Sequence, residues 1–322
     1  MKKHKILSIN KSIKKIDKKY IIDKLCIIYM FTFKPSSVLK TIQQCSLIQK
    51  NKPAYIEKYK IIKEIGKGHY GTIIKVEKNN KTYALKRIDK VCTVNYEEPS
   101  LQVIKDHHEH CKYIVRFYKH LHVNKISYLV LELCEGIELF EYISIKSELS
   151  EYQSKKIIKM LSTAIQFLHN IHIVHRDIKP ENIIVEYYPS NFDMIKTIKL
   201  CDFGLAKYLK DDFDKRMTTR LGTPYYMSPE VIHRNYNYLC DEWSIGVLLY
   251  ILLCGYPPFN SEYDSIVMKK VKEKKVVFYK TEWEKYEHSP CINIITSLLE
   301  FEDKRINVDT CLKDAWFNDI SV

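Results

Sequence analysis

The sequence lacks several features that mark secreted and calcium-binding proteins. Its ten cysteines include no C-x-x-C pair, which argues against a disulfide framework and for free thiols in a reducing compartment. No D-x-[DN]-x-[DN]-G loop occurs, so the sequence contains no EF-hand motif. Glycine is scarce, with 8 residues in 322, which we attribute to an AT-rich coding bias. The 46% of hydrophobic and 28% of charged residues form an ordinary globular balance.

We expect neither a membrane span nor a cleaved leader in the N-terminal region. Its apolar run, residues 20–33, is interrupted by Asp23 and Lys24, and it is too short and too charged to span a bilayer. The run starts late for a signal peptide, and no A-x-A-like cleavage site follows it. Lys2 stands where myristoylation needs a glycine. We therefore expect a cytoplasmic protein.

The net charge of +13 is concentrated in this N-terminal region. Residues 1–52 contain thirteen lysines and two acids, a net charge of +11, which leaves +2 for the remainder. We predict a flexible basic extension over residues 1–54, and we favour a solvated tail. The alternative is an amphipathic segment that makes weak contact with anionic membranes through residues 1–52. Because the folded part is nearly neutral, the charge does not indicate nucleic-acid binding.

The remaining residues predict an α+β, bilobal fold. A β-rich N-lobe is expected over residues 55–133 and an α-rich C-lobe over residues 134–319. The β-branched runs that predict strands are residues 59–65, 73–76, 81–86, 114–120 and 127–133. One helix is expected among them, around residues 97–105. In the C-lobe, Ser150–Gln153 resembles a capping box, and an apolar helix over residues 243–254 ends at Gly255.

A glycine motif, Gly66-x-Gly68-x-x-Gly71, lies between two predicted strands. Alone it is weak, since a plain glycine turn gives the same pattern. A dinucleotide-binding fold would need a helix directly after it, whereas here a β-branched strand follows. We therefore interpret it as a hairpin flap whose backbone approaches nucleotide phosphates. Lys86, on the next predicted strand, is placed to reach the α- and β-phosphates.

Two further motifs carry the chemistry of phosphoryl transfer. The first is His175-Arg176-Asp177 with Lys179 and Asn182, and the second is Asp202-Phe203-Gly204. We expect Asp177 to accept the proton of an acceptor hydroxyl and Lys179 to stabilise the transferring phosphoryl group. Asn182 and Asp202 supply hard oxygen ligands of the kind that Mg²⁺ prefers.

Together these motifs resemble the eukaryotic protein kinase family over residues 59–317. The supporting marks are Gly222-Thr223-Pro224-x-Tyr226, Ser228-Pro229-Glu230, Asp241-x-Trp243-Ser244-x-Gly246 and Arg305. The resemblance implies an ion pair between Glu230 and Arg305, and an Asp241 that supports the backbone of the catalytic loop.

The subgroup follows from smaller motifs. Lys179 within His-Arg-Asp-x-Lys-Pro-Glu-Asn looks like serine/threonine specificity, and residues 254–259 and 138–140 resemble the calcium/calmodulin-dependent kinase group. Thr218-Thr219 ahead of the Gly-Thr-Pro motif is similar to the MAP-kinase-activated kinases. We therefore expect a monomer that phosphorylates protein substrates with ATP and Mg²⁺ and binds no nucleic acid.

The resemblance also implies the residues around ATP. They are Ile65, Gly66, Lys67, Gly68, Gly71, Ile73, Ala84, Lys86, Leu131, Glu132, Cys134, Glu138, Glu181 and Ile184. Leu131 is expected at the back of the adenine pocket, and the backbone of residues 132–134 is expected to bond adenine. Glu138 and Glu181 suggest a basic residue upstream of the acceptor, since carboxylates pair with arginine. The alternatives are that both are plain surface acids or that Glu138 serves the ribose.

Arg176 implies regulation, because an arginine beside the catalytic aspartate needs a counter-charge. A phosphate on Thr219, or on its neighbour Thr218, would supply about two negative charges and order the segment. An upstream activating kinase is then expected. The alternatives are that no partner is needed or that a nearby acid serves constitutively. Those acids are Asp211, Asp212 and Asp214.

One position departs from the family pattern. Lys86 should pair with a helix glutamate, which the family's alignment places within residues 100–102, where no acid stands. Glu97 and Glu98 lie just upstream, followed by Pro99, and proline is tolerated only in a first helical turn. We nominate Glu98, on a helix that begins late. The alternative is that the pair is absent, which would favour a pseudokinase.

Overall fold

The computed structural model describes residues 54–68, 71–88, 91–107, 111–210, 215–320 and 322. The basic residues 1–52 and their predicted membrane contact lie outside this part of the chain. Among the described residues, no helix has the length and apolar character needed to cross a bilayer. The predicted domain limits at residues 55 and 319 stay predictions.

The N-terminal part is a six-stranded antiparallel sheet with the strand order β1-β2-β3-β4-β6-β5. Its strands are β1 (Tyr55–Ile56), β2 (Tyr59–Gly68), β3 (Gly71–Lys78), β4 (Lys81–Ile88), β5 (Phe117–Val123) and β6 (Ile126–Glu132). Their β-branched and aromatic residues suit a pleated, half-buried surface. Val76, Leu85 and Val130 are fully buried on one face.

The helix against this sheet is longer than predicted. It is α1 (Val91–Asp106), and Pro99 lies inside it rather than in its first turn. An interior proline costs about 3 kcal/mol. Leu101 and Ile104 are buried at 1% and 0% exposure, and each contributes about 1.5–3 kcal/mol. The burial of these side chains therefore outweighs the cost of Pro99. The prediction that the helix begins late, which placed Pro99 in its first turn, is wrong.

The C-terminal part is helical. Among the residues that the structure describes, the other α-helices are α2 (Leu139–Lys146), α3 (Glu151–Asn170), α4 (Pro229–Ile232), α5 (Cys240–Cys254), α6 (Asp264–Lys272), α7 (Lys280–Trp283), α8 (Cys291–Leu298) and α9 (Val308–Leu312). The capping box at Ser150 and Gln153 is confirmed. All residues of α5 are buried. Gly255 ends it at φ 81°, where an added Cβ would lie 2.3 Å from the Ser147 carbonyl oxygen.

Two small sheets position the functional loops. β7 (Ile137–Glu138), β9 (Ile183–Tyr188) and β10 (Asn191–Leu200) form one, and β8 (Ile173–Val174) pairs with β11 (Lys207–Tyr208) in the other. The loop that carries residues 175–182 runs from β8 to β9, and residues 202–204 lie between β10 and β11. The predicted α+β, bilobal fold is confirmed, and one core cluster includes residues of both lobes.

Candidate active site

The glycine motif forms the end of a β-hairpin. Gly66 lies opposite Ile73 and Gly68 opposite Gly71 in the β2–β3 register. At Gly71, with φ 152°, an added Cβ would lie 1.9 Å from the Arg87 carbonyl oxygen, so the sheet itself requires glycine there. An added Cβ at Gly66 would come no closer than 3.9 Å to Ile73. The packing of the sheet therefore does not require glycine at residue 66. A glycine there would instead allow the backbone to approach a ligand closely.

Apolar side chains predicted to hold adenine come from five strands, β2, β3, β4, β6 and β9. Ala84 on β4 lies directly opposite Leu131 on β6, and both are buried. Ile73 lies on β3 opposite Lys86, and Ile184 lies on β9. Ile65 and Lys67, on the flap, are exposed.

The end of β6 limits which backbone groups are available to bond adenine. The amide of Glu132 donates to the Arg116 carbonyl oxygen at 2.8 Å, and its carboxylate accepts from Lys199 at 2.9 Å. Both groups are engaged within the protein. We therefore expect the amide of Cys134, rather than that of Glu132, to bond adenine.

Lys86 lies between two carboxylates. Its Nζ donates to Glu97 Oε1 at 2.6 Å and to Asp202 Oδ1 at 2.7 Å, and Lys86 and Glu97 are almost fully buried. Burial acts to lower the pKa of Lys86, but the charges of Glu97 and Asp202 outweigh it and raise that pKa. Burial acts to raise the pKa of Asp202, and Lys86 holds it below its ordinary value. The lysine therefore stays a cation in this position.

The nomination of Glu98 is wrong. Glu98 Oε1 lies 2.9 Å from His120 Nδ1, whereas Lys86 pairs with Glu97. Because α1 begins at Val91, Glu97 shares a helical face with the buried Leu101 and Ile104 at the spacing i, i+4, i+7. This periodicity can be seen in the sequence. It was not used because we expected Pro99 to lie in the first turn of the helix.

The catalytic-loop residues converge on Asp177. Asn182 Nδ2 donates to the carbonyl oxygen of Asp177 at 2.7 Å and to its Oδ2 at 2.9 Å. Lys179 Nζ lies 2.9 Å from the same Oδ2 and donates to Thr223 Oγ1 at 3.3 Å. An acceptor hydroxyl at Asp177 would therefore meet a lysine placed for the phosphoryl group.

The donor set of Asn182 and Asp202 fits a magnesium ion. The amide nitrogen of Asn182 is committed to Asp177, which leaves its oxygen as the ligand atom. Asp202 stays ionised, and the amide of Cys201 donates to the Asn182 carbonyl oxygen at 2.8 Å, tying the two segments together. Two hard oxygen ligands suit Mg²⁺, which takes its other ligands from phosphates and water.

Asp241, at the start of α5, supports the loop from beneath, as the family resemblance implies. It accepts from the amides of His175 and Arg176, both at 2.8 Å. His169 Nε2 lies 3.1 Å from its Oδ2. The implied ion pair is also confirmed, because Arg305 Nη2 lies 2.5 Å from Glu230 Oε1. These contacts hold the backbone of Arg176 at φ 65°, a left-handed conformation that non-glycine residues rarely adopt.

Arg176 lies in a basic pocket beside residues 217–219. Its Nε donates to the Leu205 carbonyl oxygen at 2.7 Å and its Nη1 to Tyr236 Oη at 3.3 Å. Tyr236 Oη donates to the carbonyl oxygen of Thr219 at 2.8 Å. Thr218 and Thr219 are exposed. The backbone of Thr219 is therefore one hydrogen-bonded residue away from Arg176.

Lys207 belongs to the same pocket, and the sequence interpretation missed it. Burial lowers its pKa, and the charges of Arg176 and Lys215 lower it further. Like charges gathered in this way favour an anion. The alternative counter-charges lie outside the described residues. They are Asp211, Asp212 and Asp214.

Glu138 and Glu181 face a common region. Burial raises the pKa of Glu138, and the charge of Glu181 raises it further. Burial also raises the pKa of Glu181, whose Oε2 is buried without a hydrogen-bond partner in the described part of the chain. Two like charges in this position are stabilised by a cation.

One family model matches the sequence of this chain. The family model of the protein kinase domain matches residues 59–317, which is most of the chain.

Curated proteins that are similar in sequence to this chain are also protein kinases. The chain is 37% identical over 265 residues to calcium-dependent protein kinase 5 of Plasmodium berghei, covering 81% of this chain and 45% of that protein. It is 36% identical to calcium-dependent protein kinase 3 of the same species, covering 79% and 45%. It is 34% identical to the DNA damage response protein kinase DUN1 of Saccharomyces cerevisiae, covering 85% and 58%. The chain thus spans about half the length of the relatives it matches.

Proposed function

Because the chain belongs to the protein kinase family, we propose that it transfers the γ-phosphoryl group of ATP to serine or threonine in protein substrates. The observation that carries this proposal is the buried contact of Lys86 with Glu97 and Asp202. A kinase needs this lysine–glutamate pair and this aspartate together. The pseudokinase alternative depended on a missing partner for Lys86, and Glu97 occupies that role.

Each residue has a distinct task in the proposed reaction. Lys86 holds the α- and β-phosphates, and Asp177 orients the acceptor hydroxyl and accepts its proton. Lys179, 2.9 Å from Asp177, stabilises charge on the transferring group. Asn182 and Asp202 would hold Mg²⁺, which supplies charge neutralisation at the β- and γ-phosphates.

We also propose a preference for basic residues upstream of the acceptor. The support is the charge of Glu181 acting on Glu138, and the buried Oε2 of Glu181, which has no hydrogen-bond partner in the described part of the chain. A guanidinium would donate to that oxygen and offset the like charges.

Peptide kinetics test this preference. We expect kcat/KM for a peptide with upstream arginines to exceed that for its glutamine counterpart about 10- to 100-fold, since a hydrogen bond to a charged group contributes about 1.5–3 kcal/mol. Glu181→Gln should remove most of this ratio. Glu141→Gln, which removes an exposed charge near Glu138, is the matched control. Equal ratios in the wild type and Glu181→Gln would contradict the substrate preference while leaving the kinase proposal intact.

Regulation by a phosphate on Thr219 is a further part of the proposal. Tyr236 donates to the carbonyl oxygen of Thr219 and accepts from Arg176, and the charge of Arg176 acts on Lys207. A phosphate there would pair with the two cations and order the segment. Thr218 is the neighbouring candidate.

We propose a cytoplasmic monomer that acts on protein substrates. The cysteines of the described part are free thiols, which suits a reducing compartment. The charge of +11 on residues 1–52 supports weak contact with anionic membranes as a secondary proposal. The full chain should then sediment with anionic vesicles more than with neutral ones, and equal sedimentation would contradict this contact.

A further inference from the structure

Two thiols lie against each other in the nucleotide-binding region, and the proposed reaction uses neither sulfur. Cys134 follows β6, and Cys201 follows β10 directly before Asp202. The thiol of Cys201 is hydrogen-bonded to that of Cys134. Of the seven cysteines whose side chains the structure describes, these two are partly exposed and the other five are buried. A reagent in solution can therefore reach this pair more readily than the buried thiols.

Contacts between the two chain segments hold this arrangement. Lys199 Nζ donates to the Glu132 carboxylate at 2.9 Å, and each of these residues stands two positions before one of the cysteines. The amide of Cys201 donates to the Asn182 carbonyl oxygen at 2.8 Å, and His175 Nε2 lies 3.2 Å from the Cys201 carbonyl oxygen. The backbone of Cys201 is therefore tied to the catalytic loop on both sides.

We propose that Cys134 and Cys201 form a redox-modification site, at which a peroxide converts the two thiols to a disulfide bond. One thiol is oxidised to a sulfenic acid, and the peroxide is reduced with release of water. The sulfur of the second thiol then attacks the sulfenic sulfur, the S–S bond forms, and the hydroxyl leaves with the second thiol proton as water. Two thiols and one hydrogen peroxide thus give one disulfide and two waters. A small-molecule thiol reverses the change by thiol–disulfide exchange.

The disulfide would alter the nucleotide site, and this consequence rests on the proposed kinase function. A disulfide holds its two sulfurs about 2.05 Å apart, which is shorter than a hydrogen-bond contact between two thiols. Its formation therefore draws the segment after β6 toward the residue next to Asp202. The amide of Cys134 is the group expected to bond adenine, and Asp202 is an expected magnesium ligand. A displacement of about 1 Å in such a site can lower the rate about 100-fold, so the disulfide should inhibit phosphoryl transfer reversibly.

Oxidation of the full chain with hydrogen peroxide tests the proposal, with disulfides mapped by mass spectrometry. Trypsin should release Cys134 on the peptide 126–146 and Cys201 on the peptide 200–207, and neither peptide contains another cysteine. We expect the two peptides to be joined after oxidation and separate after dithiothreitol. Affinity for a fluorescent ADP analogue should fall several-fold on oxidation, because the adenine contact is displaced. Phosphate transfer should fall about 100-fold, and both should return on reduction.

Two variants localise the effect, each compared with its own untreated sample. Cys201→Ala should form no linked peptide, and its phosphate transfer should persist through oxidation. Cys111→Ala removes a buried thiol outside the pair and is the matched control, so it should link and lose transfer as the wild type does.

The absence of the linked peptide in the wild type, linkage that leaves ADP affinity and transfer unchanged, or an equal loss in Cys201→Ala would overturn the proposal. A wild type that transfers no phosphate before treatment would contradict the proposed function alone, since the linked peptide and the ADP affinity are measured without phosphate transfer.

Discussion

At the scale of single residues, the site depends on which of two adjacent carboxylates reaches Lys86. Glu97 and Glu98 are neighbours on α1, and one residue turns a helix by about 100°. Glu97 therefore points to the core with Leu101 and Ile104, whereas Glu98 meets His120.

These neighbours make a matched pair for mutation. Glu97→Gln removes a buried partner of Lys86, and we expect kcat/KM to fall about 10- to 100-fold. Glu98→Gln should change it less than about two-fold, since Glu98 pairs with His120 and not with Lys86. Phosphopeptide formation at limiting ATP measures both. Equal losses in the two variants would contradict the assignment of Glu97.

The basic pocket around Arg176 makes a second residue-scale prediction. When the chain has been phosphorylated by an activating kinase, Thr219→Ala should lose the gain in activity, whereas Thr218→Ala should retain most of it. The reason is that the carbonyl oxygen of Thr219 accepts a hydrogen bond from Tyr236, which in turn accepts one from Arg176. Mass spectrometry with a parallel activity assay checks this. A full gain in Thr219→Ala would assign the phosphate to another residue.

At the scale of elements, the sequence predicted well where periodicity was strong. The capping box of α3 and the end of α5 at Gly255 were predicted from local residue types. The predicted strand after Gly71 distinguished a β-hairpin from the glycine-rich loop of a dinucleotide-binding fold. The start of α1 was not predictable from local rules, because burial of Leu101 and Ile104 decides it. Lys207 and His169 were missed because their roles depend on contacts between elements that are distant in sequence.

The contact of α3 with α5 carries a pH dependence. The pKa of His169 rises from 6.5 to about 9 on folding. The associated stability is fully present below pH 6.5 and is lost as the pH rises through about 9. Its size is on the order of 3 kcal/mol. The His169 ring titration should have its midpoint near 9, and denaturant unfolding at pH 6 and pH 9.5 should differ accordingly. A His169 midpoint near 6.5 would contradict the pairing of His169 with Asp241 and Glu242.

At the scale of the whole molecule, one core cluster includes residues of both lobes. Lys86 on β4, Glu97 on α1 and Asp202 after β10 are brought together by that packing. Motif order alone predicted the fold and most of the site, but not the identity of the glutamate.

Phosphate transfer from Mg-ATP to a serine peptide with upstream arginines, by the wild type beside Asp177→Asn, tests directly whether this chain transfers phosphate through Asp177. In the proposed reaction Asp177 orients and deprotonates the hydroxyl, and Asn182 and Lys179 contact its carboxylate. Loss of the general base should lower turnover at least about a hundred-fold, while nucleotide binding persists. Equal incorporation of phosphate by the two forms would contradict the assignment of this chain as a kinase.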